Sequence, residues 1–84
     1  MTKNQFKKAL NAELWAADMA EYKVIKVDEI GANTVLYFDI KKMPVNMRLL
    51  RWLNDRFQNG ISITEKDRSL VFINTPLQEK VDLS

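Results

Sequence analysis

The chain predicts an α+β fold: one small domain of order αββαββ, with a short tail helix as the candidate last element and both helices packed on one face of an antiparallel sheet. Three observations predict it. An amphipathic helix followed by a strand hairpin is read from Thr2 to Lys42 and again from Pro44 to Thr75. Each hairpin has β-branched or aromatic strands flanking a turn-forming triplet, Gly31-Ala32-Asn33 and Lys66-Asp67-Arg68. The 84 residues hold one core, so residues 1–84 form one domain, with residues 76–84 as a frayed tail or a short helix.

The first helix begins at a capping box, Thr2-x-x-Gln5, with Met1 and Phe6 at the positions of a hydrophobic staple. Its periodicity runs to about Ala20. Phe6, Ala9, Leu10, Ala17 and Ala20 share one face, with Leu14 beside them. Tyr22 to Ile30 reads as a strand and Thr34 to Ile40 as its return. Leu36, Phe38 and Ile40 point one way, and Val35, Tyr37 and Asp39 the other. The second helix starts with Pro44 as its first residue or Asn46 as its cap. It stops near Asn59-Gly60 and carries the stripe Leu49, Leu50, Leu53, Phe57. Ile61 to Glu65 and Ser69 to Asn74 form the second hairpin. Thr75 caps the candidate tail helix, which Leu77 and Val81 would dock. Val35 to Ile40 aligns with Leu70 to Thr75, which hints at a duplicated αββ unit.

Composition narrows the chemistry. The chain has no Cys and no His, which removes disulfides, thiolate nucleophiles, the usual base near neutral pH and the commonest metal ligands. No cofactor and no metal site is expected, and the expectation is a protein that is not an enzyme. The net charge of +2 permits an anionic partner without demanding one. The start has no signal-like apolar run, and the longest clearly apolar run, Val35 to Phe38, is far too short for a membrane span. The expected location is a cytoplasm, of a cell or of an infected host, with no membrane partner.

Several residues are candidates for recognition. Trp15 falls on the far side of the first helix from Phe6 and Leu10, and with Met19 it predicts a small exposed apolar patch. The alternative is an indole folded over a sheet edge or under the tail helix, completing the core. On the second helix, Arg48, Arg51 and Asp55 face outward, with Trp52 and Arg56 beside the stripe. Spacings of four let Arg48 or Arg56 stack on the Trp52 indole, and Arg51–Asp55 is a candidate surface ion pair. Lys41, Lys42, Lys66 and Arg68 would join Arg48 and Arg51 in a basic stripe if the strand order brings them together. Val35 and Tyr37, with Tyr22 and Phe72, would give the sheet's other face an aromatic platform, although no RNP-type motif is present.

The only enzyme-like pattern is Asp39-Ile40-Lys41, similar to the Asp-x-Lys end of a PD-(D/E)xK nuclease signature, with Asp28 and Glu13 upstream. A tight first hairpin opposes it. It pairs Asp28 near Leu36 and leaves Asp28 and Asp39 about three residues out of register, or ~10 Å apart. The element order also resembles that of LAGLIDADG-type homing endonuclease domains. The likeness is one of order alone, because Leu14 to Glu21 does not carry that motif.

The leading expectation is therefore a binding protein, a regulator or inhibitor that occludes a protein partner, of the kind phages and mobile elements encode. Its contacts would be Trp15, Met19, Arg48, Arg51, Trp52 and Arg56. The alternative is a nucleic-acid binder using Lys41, Lys42, Arg48, Arg51, Lys66 and Arg68. The third is a self-associating accessory subunit, with a homodimer as its simplest form.

Overall fold

The computed structural model describes residues 2–58, 60–63 and 70–73. They form an α+β domain: α1 (Lys3–Ala16), β1 (Val24–Ile30), β2 (Asn33–Phe38), α2 (Met47–Arg56), β3 (Ile61–Ile63) and β4 (Leu70–Ile73). The predicted order holds for these six elements. The staple at Met1, the Lys66–Arg68 tip and the tail helix lie outside the described residues.

Both bonds of the α1 capping box are made. Gln5 N–H donates to Thr2 Oγ1 at 3.1 Å, and Thr2 N–H donates to Gln5 Oε1 at 2.8 Å. The helix then stops at Ala16, four residues before the predicted end. Asp18 turns to φ +60°, its N–H donates to the Trp15 carbonyl at 3.1 Å, and Met19 N–H reaches back to the Leu14 carbonyl at 2.8 Å. These are the two bonds of a Schellman motif, and its accompanying apolar contact is supplied by Leu14 and Met19, both buried. An aspartate in the left-handed region does what glycine usually does, so no glycine marks this stop.

The chain from Asp18 to Lys23 is a link, and β1 begins at Val24 rather than Tyr22. Tyr22 is buried in the core, and its hydroxyl donates to Asn46 Oδ1 at 2.8 Å. Asn46 is the α2 cap; the same oxygen accepts from Leu49 N–H at 3.2 Å. Helix α2 ends at Arg56, with Gln58 at φ +54° in the left-handed position that Asn59-Gly60 was expected to supply.

The first hairpin is tighter than predicted. Ile30 pairs with Asn33, which leaves a two-residue turn, Gly31-Ala32. Gly31 has φ +60° and Ala32 does not, the φ signs of a type II′ turn, which places glycine first. At the far end β2 stops at Phe38. Asp39 Oδ1 accepts from Lys41 N–H at 3.2 Å and its carbonyl from Lys42 and Met43 N–H at 3.1 and 3.2 Å. That turn takes Ile40 out of the strand and leaves it half exposed.

The sheet order is β1-β2-β4-β3, antiparallel throughout, so the two hairpins meet at a β2–β4 seam. Leu36 pairs with Val71, and these two residues are counterparts when Val35–Ile40 is aligned with Leu70–Thr75. A local two-fold axis therefore passes through that pair. Both helices cover one face, where Phe6, Leu10 and Leu14 of α1 and Leu49 and Leu53 of α2 meet Val24, Val27, Leu36, Phe38, Val71 and Ile73. Residues alternate across a strand, so Val35 falls on the other face. It is fully buried and lies outside the helix-side cluster. The expected aromatic platform is corrected accordingly: Val35 is inaccessible, Tyr22 belongs to the core, and only Tyr37 is part-exposed, with Lys26 Nζ 5.1 Å above its ring. The Phe72 side chain lies outside the described residues.

Candidate partner-binding surface

The arginines of α2 are largely occupied within the chain. Arg48 Nη1 donates to Glu21 Oε1 at 2.6 Å and its Nη2 to the Asp18 carbonyl at 3.2 Å, which ties the start of α2 to the link after α1. Arg56 makes a bidentate pair with Glu13, Nε to Oε1 at 2.6 Å and Nη2 to Oε2 at 3.2 Å. Its guanidinium lies 5.1 Å above the Phe57 ring, not on the Trp52 indole as the spacing suggested. Glu13 thus finds an arginine on the neighbouring helix. Such exposed pairs contribute little stability, but they neutralise two of the three cations expected to face a partner. Arg51 is exposed and, among the described residues, has no ion pair; the expected Arg51–Asp55 pair is not formed.

The two tryptophans part company. Trp15 is 75% exposed, the most open of the large apolar residues among those described. Trp52 is half-buried against the core and walls a shallow groove of about 490 Å³ with Glu13, Ala16, Ala17, Asp55 and Arg56. Trp15 does not line that groove; at ~100° per residue it points away from Glu13. Met19 must be removed from the exposed patch: the Schellman motif turns it inward, to 4% exposure. The six expected contacts therefore do not form one surface. Lys41 and Lys42 sit exposed in the turn after β2, and Lys66 and Arg68 lie outside the described residues.

Two features of the sheet edges were missed. At the β1 edge, the Asn11 amide bonds both backbone groups of Val24: Nδ2 donates to the carbonyl and Oδ1 accepts from the N–H, each at 2.9 Å. A register shift between Val24 and Lys26 follows, and Lys3, Lys7 and Lys26 line a groove between this edge and α1. At the opposite edge, β3 and α2 enclose a groove of about 240 Å³ lined by Met47, Leu50, Arg51, Asn54, Ile61 and Ser62. Met47 is 63% exposed on its rim. Helical spacing placed Leu50 in the core stripe and could not reveal that it is shared with a groove. Only Met47, apolar and off the stripe, hinted at it.

The three carboxylates of the nuclease-like pattern are engaged separately. Glu13 holds Arg56, and Asp39 holds its own turn. Asp28 Oδ1 accepts from Glu29 N–H at 2.9 Å and from Lys3 Nζ at 3.5 Å. The Glu29 N–H, with help from Lys3, holds the Asp28 carboxyl below its ordinary value. In register Asp28 opposes Val35, one residue from the expected Leu36. Among the described residues no group of three metal-ligating side chains is found, and no helix is long and apolar enough to cross a membrane. No family model, curated protein or solved structure matches the chain.

Proposed function

We propose that the protein is a non-enzymatic binding module that acts by covering a surface of a protein partner, with Trp15 as the central contact. The supporting observation is the exposure of that indole, 75%, in a chain whose other tryptophan packs against the core. A tryptophan presents ~150–250 Å² of surface. Covering three quarters of it removes on the order of 150 Å² from water, which at ~25 cal/mol per Å² gives up to about 4 kcal/mol before the costs of association. That is the scale of an interface hot spot.

The test is capture from a lysate of the native host on the immobilised chain, with Trp15→Ala alongside. The reading expects one protein retained by the wild type and at least ~30-fold weaker binding to the variant, equivalent to ~2 kcal/mol. Equal retention by both would overturn it.

A second reading, nucleic-acid binding, draws on the Lys3, Lys7 and Lys26 groove and on exposed Lys41 and Lys42 rather than on α2. It expects an electrophoretic shift with DNA or RNA at low salt that is lost steeply as salt rises. No shift with single- or double-stranded probes removes it. Self-association is read from light scattering: a dimer lost on Trp15→Asp would make the partner a second copy.

A further inference from the structure

We infer that the β3 edge and the adjoining α2 groove form a strand-addition site for an extended peptide with alternate apolar side chains and an acidic residue. This surface is separate from Trp15 and does not depend on that assignment. The sheet has two edges, and the chain treats them differently. The β1 edge is blocked at its first residue and guarded beyond it: Asn11 takes both outward backbone groups of Val24, the register is broken beside it, and lysines flank it. These are ordinary devices against edge-to-edge pairing. Among the described residues the β3 edge shows none of them. Its sequence, Ile61-Ser62-Ile63, has no charge, no proline and no shift of register against β4. Among the described residues it pairs with β4 alone.

The groove beside that edge supplies the side-chain part of such a site. In strand addition, main-chain hydrogen bonds give affinity and pockets for alternate side chains give specificity. Met47, Leu50 and Ile61 offer an apolar floor and rim, of which Met47 is left 63% exposed. Arg51 stands on the same rim, exposed and without an ion pair among the described residues. Its fixed fork of donors suits a carboxylate. The occupant's charge follows from that. A three-residue edge spans roughly 10 Å, so the core of the bound segment is three to five residues, roughly, and affinity is modest.

The experiment uses the full ¹⁵N-labelled chain and three acetylated, amidated peptides in which the charged residue shares the face of the valines: TVTETV, its lysine counterpart TVTKTV, and TVTETV with alternate backbone amides N-methylated. The site predicts amide shifts confined to 47–54 and 61–63 on adding the acidic peptide, and at least tenfold weaker binding of the other two. Arg51→Glu should reverse the preference toward TVTKTV. Met47→Glu, at an exposed position, should abolish binding of the acidic peptide with the spectrum otherwise unchanged. Trp15→Ala should leave peptide binding intact, which keeps this site's failure distinct from that of the protein-partner reading. Absence of shifts at ~1 mM peptide, shifts centred on β1 or α1, equal binding of the N-methylated peptide, or an unchanged preference in Arg51→Glu would each overturn the inference.

Discussion

Asn11→Ala should cost the protein about 2 kcal/mol. The Asn11 amide makes two hydrogen bonds of 2.9 Å to Val24, one as donor and one as acceptor, across 13 residues of sequence. The backbone fixes which amide atom is which, since an N–H can only donate and a carbonyl can only accept. Each bond contributes ~1 kcal/mol net, and removing one partner leaves part-buried backbone groups to find water or stay unpaired, at ~1–3 kcal/mol each. Alanine returns up to ~0.7 kcal/mol through its better helix propensity. The balance is a loss of about 2 kcal/mol, against a total of ~4–13 kcal/mol for a chain of 84 residues. The melting temperature should fall by ~8–16 °C. Urea denaturation with a fixed m-value measures the loss, and hydrogen exchange at the Val24 amide locates it. Asn11→Asp keeps the acceptor for the N–H but aims a second oxygen at the carbonyl, so it should be no better than alanine. A wild-type-like midpoint for Asn11→Ala, within ~0.5 kcal/mol, would refute the claim that this side chain closes the strand edge at Val24.

Two further outcomes are expected. Asp18→Gly should raise stability by about 0.5 kcal/mol, because it relieves a side chain held at φ +60° while adding unfolded-state freedom; a lower thermal midpoint would mean that the Asp18 carboxylate contributes more than its backbone strain costs. The Glu29 N–H and Lys3 hold the Asp28 carboxyl below its ordinary value in the folded state, so its contribution is present above the unfolded pKa and is lost as pH falls through the lowered folded value. The stability difference between wild type and Asp28→Asn, followed by urea midpoints from pH 6 down to pH 2 (~4 pH units), should shrink with acid; a difference that grows would contradict this.

The local signals were legible because they act over a few residues. The capping box at Thr2 and Gln5, the cap at Asn46, the glycine of the first turn and the large core residues of the two stripes, Phe6, Leu10, Leu14, Leu49 and Leu53, appear where the sequence placed them, whereas Ala17 and Ala20 fall beyond the end of α1. Errors begin where a residue does an unaccustomed job. Asp18 ends α1 in a conformation usually left to glycine, and that one choice moves Met19 from an expected outer face into the core. Tyr22 looked like a strand residue because of its β-propensity, but a hydroxyl bond to the cap of a helix 24 residues away decides its position. The ion pairs of Arg48 and Arg56 join residues 27 and 43 apart. Spacing along a helix face could say that these arginines point outward; it could not say that a carboxylate waits for them there. The contrast between the two sheet edges was invisible for the same reason, since strand order follows from packing of the whole.

The seam between β2 and β4 also governs how the chain reaches this structure. The β1–β2 hairpin closes over a two-residue turn, whereas the seam joins Tyr37 to Leu70 and Thr34 to Ile73. Loop closure grows costlier with the logarithm of the chain enclosed, and hairpins form in ~1–10 μs. The first hairpin can therefore form and dissolve many times before the second arrives. Mating of the halves, which closes the longer stretch of chain, is therefore the step expected to set the speed of folding. Until it happens, each half displays a bare central strand to every other copy in solution, so folding yield should fall as protein concentration rises.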